Sequence, residues 1–307
     1  MKFHIAILLG VLLFAAVPVR ADTAAPESFA ERVALFAYDT HADLAIQERG
    51  VEQRDGVAIH DLSFIAEPGA KQRINAYLVV PPGNGAHAGV LWVHWLGEPK
   101  TSNRTQYLDE AVALAAQGVE SLLVDAMWSD PDWYAKRNPE QDFDASIRQT
   151  IALRRAMDLL ASRPGIDAKR LGYVGHDFGG MYGMLAAGVD RRAKTYVFMA
   201  VAPSLLEWAF FASQPKSKID YIRKNAPLEL SEFVHRIDNA SVLFQFAKND
   251  AYVSRASTGV LLNAANAPKE RKFYEADHAM NKPEIAQDRD AWLLKELASA
   301  NAPAPSR

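Results

Sequence analysis

The residues best suited to covalent chemistry lie in one glycine-flanked turn, which reads Gly175-His176-Asp177-Phe178-Gly179. It follows an apolar run that ends at Val174 and precedes small residues over 180–187, which predicts a buried strand and a closely packed helix. A strand, a sharp turn and a helix in this order form a nucleophile elbow, which holds its central residue at a strained backbone angle. Gly175 and Gly179 are expected because strand and helix then approach too closely for side chains. The pattern predicts Asp177 as a nucleophile.

An aspartate at this turn restricts the bonds that the protein can break. A serine hydroxyl or a cysteine thiol attacks carbonyl carbon, whereas a carboxylate that did so would form a labile anhydride. Displacement at saturated carbon suits a carboxylate better, because it gives an ordinary ester with the enzyme. We therefore expect Asp177 to act on alkyl electrophiles.

An acid and a histidine that could assist Asp177 follow it in the sequence. Asp250 and His278 each lie in the loop after an apolar run that is typical of a strand. A nucleophile, an acid and a histidine in this chain order, each at the end of a strand, predict a catalytic triad. Asp125 and Glu207, near the ends of other predicted strands, are alternative candidates for the acid.

Further site residues are predicted by their position next to the triad. The loop after the third predicted strand carries Trp95, whose backbone N–H is a candidate oxyanion donor. The second candidate donor is the N–H of Phe178, directly after the nucleophile. His94, Trp128 and Tyr134 lie in loops expected at the same edge of the sheet, and they are candidate pocket residues.

Apolar runs of two different periods alternate along the chain. Buried or alternating runs predict eight strands, near 57–65, 74–80, 89–93, 121–124, 170–174, 195–201, 241–246 and 271–274. Helical patterns lie between or after them, over 107–117, 146–162, 180–187 and 286–297. Strands that alternate with helices predict an α/β fold, with a mostly parallel sheet covered by helices on both faces.

The chain is expected to contain one α/β domain, over 56–300. A polar, helical lead-in is predicted over 22–55, and a short disordered tail over 301–307. The aromatic-rich segment 203–240 interrupts the alternation and is a candidate for a small helical lid. Residues 1–21 combine an early lysine, a short apolar run and small residues before a cleavage site, which predicts a signal peptide. The protein is therefore expected to be exported, to the periplasm or beyond.

Composition argues against several classes of partner. The 307 residues carry a formal net charge of −3 without a basic stripe, so neither nucleic acid nor, after signal cleavage, a membrane is an expected partner. There is no cysteine, and neither a phosphate-binding Gly-rich motif nor a His-x-x-x-His pair occurs. We expect a small-molecule substrate, no cofactor and no metal.

Several of these motifs resemble those of a known family. The run 163–176, together with Asp250 and His278, resembles the α/β-hydrolase superfamily over nearly all of the mature chain. The lead-in to the turn and the short insertion most resemble its dienelactone-hydrolase-like branch, whose members carry Cys or Ser at the position of Asp177. The sequence 175–177 is similar to the turn of epoxide hydrolases and haloalkane dehalogenases, whose nucleophile is Asp but whose lid is larger. The resemblance implies a hydrolase of the α/β-hydrolase fold.

The expected mechanism has Asp177 attack an epoxide or a halide-bearing carbon, after which His278, oriented by Asp250, activates water to hydrolyse the alkyl ester. An epoxide needs a proton donor, for which the phenols of Tyr134, Tyr182 and Tyr221 are candidates. One alternative is a dienelactone-type carboxylic ester hydrolase, in which Asp177 and His278 activate water without covalent attack. A second alternative is a binding protein without catalytic activity on the same fold.

Overall fold

A computed structural model of the protein describes residues 28–67, 72–211 and 213–298. Within these residues, the strands form one nine-stranded sheet. The strands are β1 (Gln47–Arg54), β2 (Val57–Phe64), β3 (Ile74–Val80), β4 (His87–Val93), β5 (Val119–Val124), β6 (Ile166–His176), β7 (Thr195–Met199), β8 (Ser241–Ala247) and β9 (Lys269–Tyr274). The predicted signal peptide and the predicted tail lie outside the described residues.

The strands are ordered β1-β2-β3-β5-β4-β6-β7-β8-β9 across the sheet. From β5 to β9 neighbouring strands pair in parallel, whereas β1, β2, β3 and β5 are joined by antiparallel pairing. All residues of β4 and β5 are buried, as expected for parallel strands with helices on both faces. The predicted α/β class with a mostly parallel sheet is confirmed.

Helices cover both faces of this sheet. The helices are α1 (Phe29–Ala34), α2 (Leu108–Ala115), α3 (Trp133–Lys136), α4 (Asp142–Ala161), α5 (Phe178–Val189), α6 (Leu206–Ala209), α7 (Lys218–Asn225), α8 (Leu230–Val234), α9 (Arg255–Ala264) and α10 (Pro283–Glu296). One core cluster contains buried residues of α4, α5, α8 and α9, and the other contains those of α2 and α10. No helix among the described residues has the length and apolar character needed to cross a membrane.

The extra strand, β1, lies inside the segment for which the sequence predicts a helical lead-in, so that prediction is wrong over 47–54. The strand is polar and almost wholly exposed, so it lacks the apolar alternation that identifies a strand in sequence. Asp55 and Gly56 connect it to β2, and both have positive φ, 53° and 80°. An Asp-Gly pair is the residue preference of a two-residue hairpin turn. That pair was the sequence signal for β1.

The fold brings four loops to one edge of the sheet. They follow β4, β6, β8 and β9, whose carboxyl ends point the same way because these strands are parallel. The segment 203–240 follows β7 and contains α6, α7 and α8. Residues predicted to do chemistry are therefore placed on neighbouring loops.

Candidate active site

The turn over 175–179, called here the Asp177 turn, joins β6 to α5 through a sharp bend. Asp177 has φ 54° and ψ −119°, a strained conformation for a residue with a side chain. Its backbone N–H donates to Met199 O at 2.8 Å, which ties the turn to β7. A Cβ on Gly179 would lie 2.3 Å from Val93 O, and one on Gly175 would lie 2.4 Å from Gly179 O. Both glycines are required because backbone occupies the space of a side chain.

His278 lies between two carboxylates. Its Nδ1 donates to Asp250, with Oδ2 at 2.9 Å and Oδ1 at 3.1 Å. Its Nε2 faces Asp177 Oδ1 at 3.7 Å, an ion-pair distance rather than a hydrogen bond. The backbone N–H groups of Tyr252 and Val253 donate to Asp250 Oδ1 at 2.8 and 2.9 Å, and they fix the orientation of that carboxylate. The structure thus brings the three predicted triad residues together.

The second carboxylate oxygen of Asp177 is held by a backbone donor. Leu96 N–H donates to Asp177 Oδ2 at 3.1 Å, and the neighbouring backbone N–H of Phe178 also acts to lower the pKa of this carboxylate. The N–H of Trp95, the predicted donor, instead donates to Gln106 Oε1 at 2.9 Å. The prediction is therefore corrected from Trp95 to Leu96. Which N–H of a loop points inward depends on its backbone path, which residue identity does not encode.

Charge at the site is strongly coupled. Burial raises the pKa of Asp177, although His278 and the backbone donors act in the opposite direction. Burial opposes the imidazolium of His278, but the carboxylates of Asp177 and Asp250 outweigh it and raise the pKa of His278 to about 9. The pKa of Asp250 is lowered because His278 and two backbone N–H groups overcome the effect of burial. Asp177 and His278 are therefore a coupled buried pair, in which the negative charge on Asp177 stabilises the positive charge on His278.

The fold and the site geometry can be compared with known proteins. Neither a protein-family model nor a curated protein sequence matches the chain. Among solved structures, acetyl xylan esterase 1 from a Thermoanaerobacterium species has a TM-score of 0.71 at 16% identity, over 89% of this chain and 95% of that one. The acetyl xylan esterase of a Paenibacillus species has a TM-score of 0.71 at 19% identity, over 87% and 93% of the two chains. A dienelactone hydrolase from Anabaena variabilis has a TM-score of 0.55 at 21% identity, over 78% and 98%.

The chain has the α/β-hydrolase fold. The similarity to a dienelactone hydrolase, expected from the sequence, is confirmed at the level of the fold. At these identities the likeness is one of fold, so it does not by itself assign an activity. The three structures are esterases and a dienelactone hydrolase, and the resemblance of the Asp177 turn to that of epoxide hydrolases and dehalogenases stays a prediction.

Two of the three predicted pocket residues, His94 and Trp128, hydrogen-bond neighbouring loops to each other. His94 is buried, its Nδ1 donates to Trp95 O at 2.8 Å, and its Nε2 contacts Ser129 Oγ at 2.8 Å. Burial lowers the pKa of His94 to about 4, so it is neutral. Trp128 is fully buried, donates to His94 O at 3.1 Å and stacks on Tyr182. Both side chains hold loops together and neither lines the cavity beside Phe178, so their contact with a substrate stays a prediction.

The third predicted pocket residue, Tyr134, does line a cavity. This cavity measures about 30 Å³, lies beside Phe178 and is walled by aromatic side chains that include Trp208 and Tyr221. The three candidate phenols are hydrogen-bonded within the protein, Tyr134 to Trp208 O, Tyr182 to Ser146 Oγ and Tyr221 to Asp142 Oδ2. None of these phenols is free to protonate a leaving group in this conformation.

An aromatic roof, Trp208 and Tyr252, covers His278; Trp208 lies in the candidate lid segment 203–240, whereas Tyr252 was not predicted from the sequence as part of the site. The ring centroids of Trp208 and Tyr252 lie 5.5 and 5.0 Å from that of His278, and the two rings stack at 5.2 Å. Trp208 also packs on Phe178, and within the described residues its indole N–H has no hydrogen-bond partner. Tyr252 lies two residues after Asp250 in the same loop, which is the sequence signal that could have identified it.

The alternative acids are engaged elsewhere. Asp125 accepts from Arg104 N–H at 2.9 Å, and Glu207 accepts from Ser257 Oγ at 3.0 Å. Neither bonds to His278, so Asp250 is the acid that the geometry selects. In the residues that the structure describes, no group of three or more His, Asp or Glu side chains is arranged to hold a metal ion.

Proposed function

We propose that the protein is a hydrolase of small neutral molecules, in which Asp177 displaces a leaving group from saturated carbon and His278 then hydrolyses the resulting ester. Epoxides and alkyl halides are the substrate classes. The observation that carries this proposal is the hydrogen bond from Leu96 N–H to Asp177 Oδ2, at 3.1 Å.

That hydrogen bond indicates where negative charge is stabilised during the reaction, on an oxygen of Asp177 or on an oxygen of the substrate. The N–H of Leu96 already donates to the carboxylate of Asp177 itself, and the N–H of Phe178, the next residue, acts to lower the pKa of the same carboxylate. They would stabilise the oxyanion that forms when water attacks an ester of Asp177. A substrate ester would need the same donors for its own oxyanion, and it would have to displace Asp177 Oδ2 from them. The arrangement therefore favours an enzyme ester over a substrate ester.

The first step uses the other carboxylate oxygen. Asp177 Oδ1 has no hydrogen-bond partner within the described residues, so its lone pairs are free for attack. A bond forms from Oδ1 to the substrate carbon while the carbon–halogen bond or one carbon–oxygen bond of the epoxide breaks; a halide departs with its electron pair, whereas an epoxide oxygen keeps the pair as an alkoxide on the alkyl group, which must then be protonated. The product is an uncharged ester between Asp177 and the alkyl group.

Alkylation of Asp177 then changes the state of His278. The pKa of His278 is about 9 while both neighbouring carboxylates are charged, so the imidazole is protonated at neutral pH. Once Asp177 is an ester its charge is gone, the pKa of His278 falls, and the imidazole releases its proton to solvent or to the alkoxide of an opened epoxide. The neutral imidazole takes a proton from water, which attacks the ester carbonyl, and the alcohol product leaves with the original Asp177 oxygen.

The substrate is expected to be compact and uncharged. The cavity beside Phe178 holds only a water-sized molecule, so side chains of its wall, Trp208 among them, must move for a larger substrate to enter. Among the charged residues of this cavity, Arg137 pairs with Asp142 at 3.5 Å, and Glu229 accepts hydrogen bonds from Ser204 and Ser231. Arg137 is therefore not free to pair with an anionic substrate, whereas the indole N–H of Trp208, which has no partner among the described residues, is a donor for a neutral acceptor.

Isotope labelling tests the covalent step. A single turnover in oxygen-18 water should place label in the peptide that contains Asp177, because water attacks its carbonyl carbon. His278→Gln should accumulate the alkyl ester, measured as a mass increase on the same peptide, while His41→Gln, at an exposed histidine, should not. Genuine turnover with an unlabelled Asp177 would rule out the covalent mechanism.

A second candidate is a carboxylic ester hydrolase, and the comparisons support it better than the first. Both acetyl xylan esterases and the dienelactone hydrolase have this fold. In this scheme Asp177 and His278 activate water directly on a substrate ester, and no covalent intermediate forms. Hydrolysis of aryl acetates, no label on Asp177, and a higher rate in Asp177→Ser would favour the esterase.

A further inference from the structure

A chain of hydrogen bonds runs beneath the Asp177 turn and links the loops that carry the site. Trp95 N–H donates to Gln106 Oε1 at 2.9 Å, and Gln106 Nε2 donates to His176 Nδ1 at 2.8 Å. His176 Nε2 in turn donates to the backbone carbonyl of His278 at 2.8 Å. We propose that Gln106 and His176 are positioning residues. They hold the Leu96 N–H, in the loop after β4, and the imidazole of His278 at their distances from Asp177. The inference rests on the proposed function.

The direction of each hydrogen bond in this chain is determined. A backbone N–H can only donate, so Trp95 must face the amide oxygen of Gln106. The amide nitrogen of Gln106 then faces His176, whose Nδ1 must be the unprotonated nitrogen. The proton of His176 is left on Nε2, where it meets a carbonyl oxygen, which can only accept. Every donor in the chain therefore has an acceptor, and only the neutral Nε2–H tautomer of His176 fits.

The surroundings of His176 favour the same state. Its side chain is fully buried, and burial lowers the pKa of His176 well below its usual value. The indole of Trp95 stacks on the imidazole with the ring centroids 5.0 Å apart and the planes within 5°. Because His176 is neutral and covered on one face, it does not exchange protons with substrate. Its contribution is to position its neighbours.

Three loops become one rigid unit through this chain. Gln106 holds the loop after β4, in which Leu96 directly follows Trp95 and donates to Asp177. His176 is adjacent to Asp177 in the Asp177 turn, and it also holds the backbone of His278. Loss of the chain would let the 3.1 Å Leu96 contact and the 3.7 Å His278 contact of Asp177 lengthen together. A displacement of about 1 Å in a reacting geometry costs up to about 100-fold in rate.

Three substitutions at His176 separate the links of the chain. His176→Phe keeps a ring against Trp95 but removes both hydrogen bonds. His176→Asn places an amide oxygen near the former Nδ1, so it retains the bond to Gln106 and loses the bond to His278. His176→Gln places an amide nitrogen near the former Nε2, so it retains the bond to His278. We expect kcat to fall about 10- to 100-fold in His176→Phe and His176→Asn, with a smaller effect on KM. In His176→Gln we expect kcat to stay close to that of wild type.

A readout that needs no substrate separates this inference from the proposed function. The imidazole of His278 is followed by NMR in protein labelled with nitrogen-15 histidine. Its pKa should stay near 9 in wild type and His176→Gln and fall by about one unit or more in His176→Phe and His176→Asn, as its contact with Asp177 lengthens. If no substrate is turned over, this titration still decides the inference.

Two further variants guard against a trivial loss of stability. Leu160→Ala removes a fully buried core side chain near the start of β4, at the opposite end from the site, and should lower the melting temperature without moving the His278 titration. Gln106→Met removes two hydrogen bonds at nearly constant volume but leaves the bond from His176 to His278, so it should lower kcat while the His278 pKa stays near 9. If His176→Phe does not fold, His176→Asn makes the same test. An unchanged His278 pKa in His176→Phe and His176→Asn, or equal losses in the Phe, Asn and Gln variants of His176, would overturn the inference.

Discussion

Replacement of Asp177 by Asn should convert His278 from a cation into a free base. Asparagine keeps the shape of the side chain and retains an oxygen for Leu96 N–H, which lies 3.1 Å from Asp177 Oδ2. It removes the negative charge that faces His278 Nε2 at 3.7 Å. Asp177→Asn thus imitates the electrostatic state of the proposed alkyl ester, in which the carboxylate is uncharged.

The size of the effect follows from the two carboxylates at His278. Together they raise its pKa from 6.5 to about 9 against the effect of burial, which corresponds to about 3 kcal/mol. One opposite charge at this range contributes about 1 to 3 pKa units. With Asp250 still in place, we expect the pKa of His278 in Asp177→Asn to lie between about 6 and 8. At pH 9 the imidazole would then be almost wholly neutral, whereas in wild type it is about half protonated.

The same pair makes stability depend on pH. The folded pKa of His278 lies above its unfolded value, so its contribution is fully present below about pH 6.5 and is lost as the pH rises through about 9. The difference in unfolding free energy between wild type and Asp177→Asn should therefore shrink between about pH 7 and pH 10. NMR titration of His278 and urea unfolding across this range measure both quantities. A His278 that titrates at the same pH in both proteins would refute the electrostatic account.

Two other predictions concern packing at Gly179 and the half-buried carboxyl group of Asp290. Gly179→Ala should lower the free energy of unfolding by more than about 3 kcal/mol, because its Cβ would lie 2.3 Å from Val93 O. Gly259→Ala, in open space on α9, should instead raise it by up to about 1 kcal/mol. Equal melting temperatures of the two variants would contradict this. Burial and the neighbouring Glu110 raise the pKa of Asp290 to about 8, so folding keeps its carboxyl protonated, and this contribution is lost as the pH rises through 8. Asp290→Asn should therefore raise the melting temperature at about pH 9 more than at about pH 6, and a gain independent of pH would argue against a buried carboxylate there.

The order of the chemical groups along the chain was accessible from the sequence. Asp177, Asp250 and His278 each follow an apolar run, and parallel strands place the residues after their carboxyl ends at one edge of the sheet. The glycines at 175 and 179 were predicted on the same basis, because backbone contact between a strand and a helix leaves no room for a side chain. Periodicity also identified eight of the nine strands, whereas β1 was missed because an exposed edge strand has no apolar face.

Only the tertiary structure decided how these groups are surrounded. A backbone N–H belongs to every residue except proline, so nothing in the sequence could distinguish Leu96 from Trp95 as the donor to Asp177. The contact between His176 and the loop of His278 joins residues 102 positions apart, and no local pattern signals it. Local sequence determines strands, turns and the order of reactive groups, because these depend on near neighbours along the chain. Hydrogen-bond partners, burial and the resulting pKa values depend on which distant segments pack together, so they appear only in the folded protein.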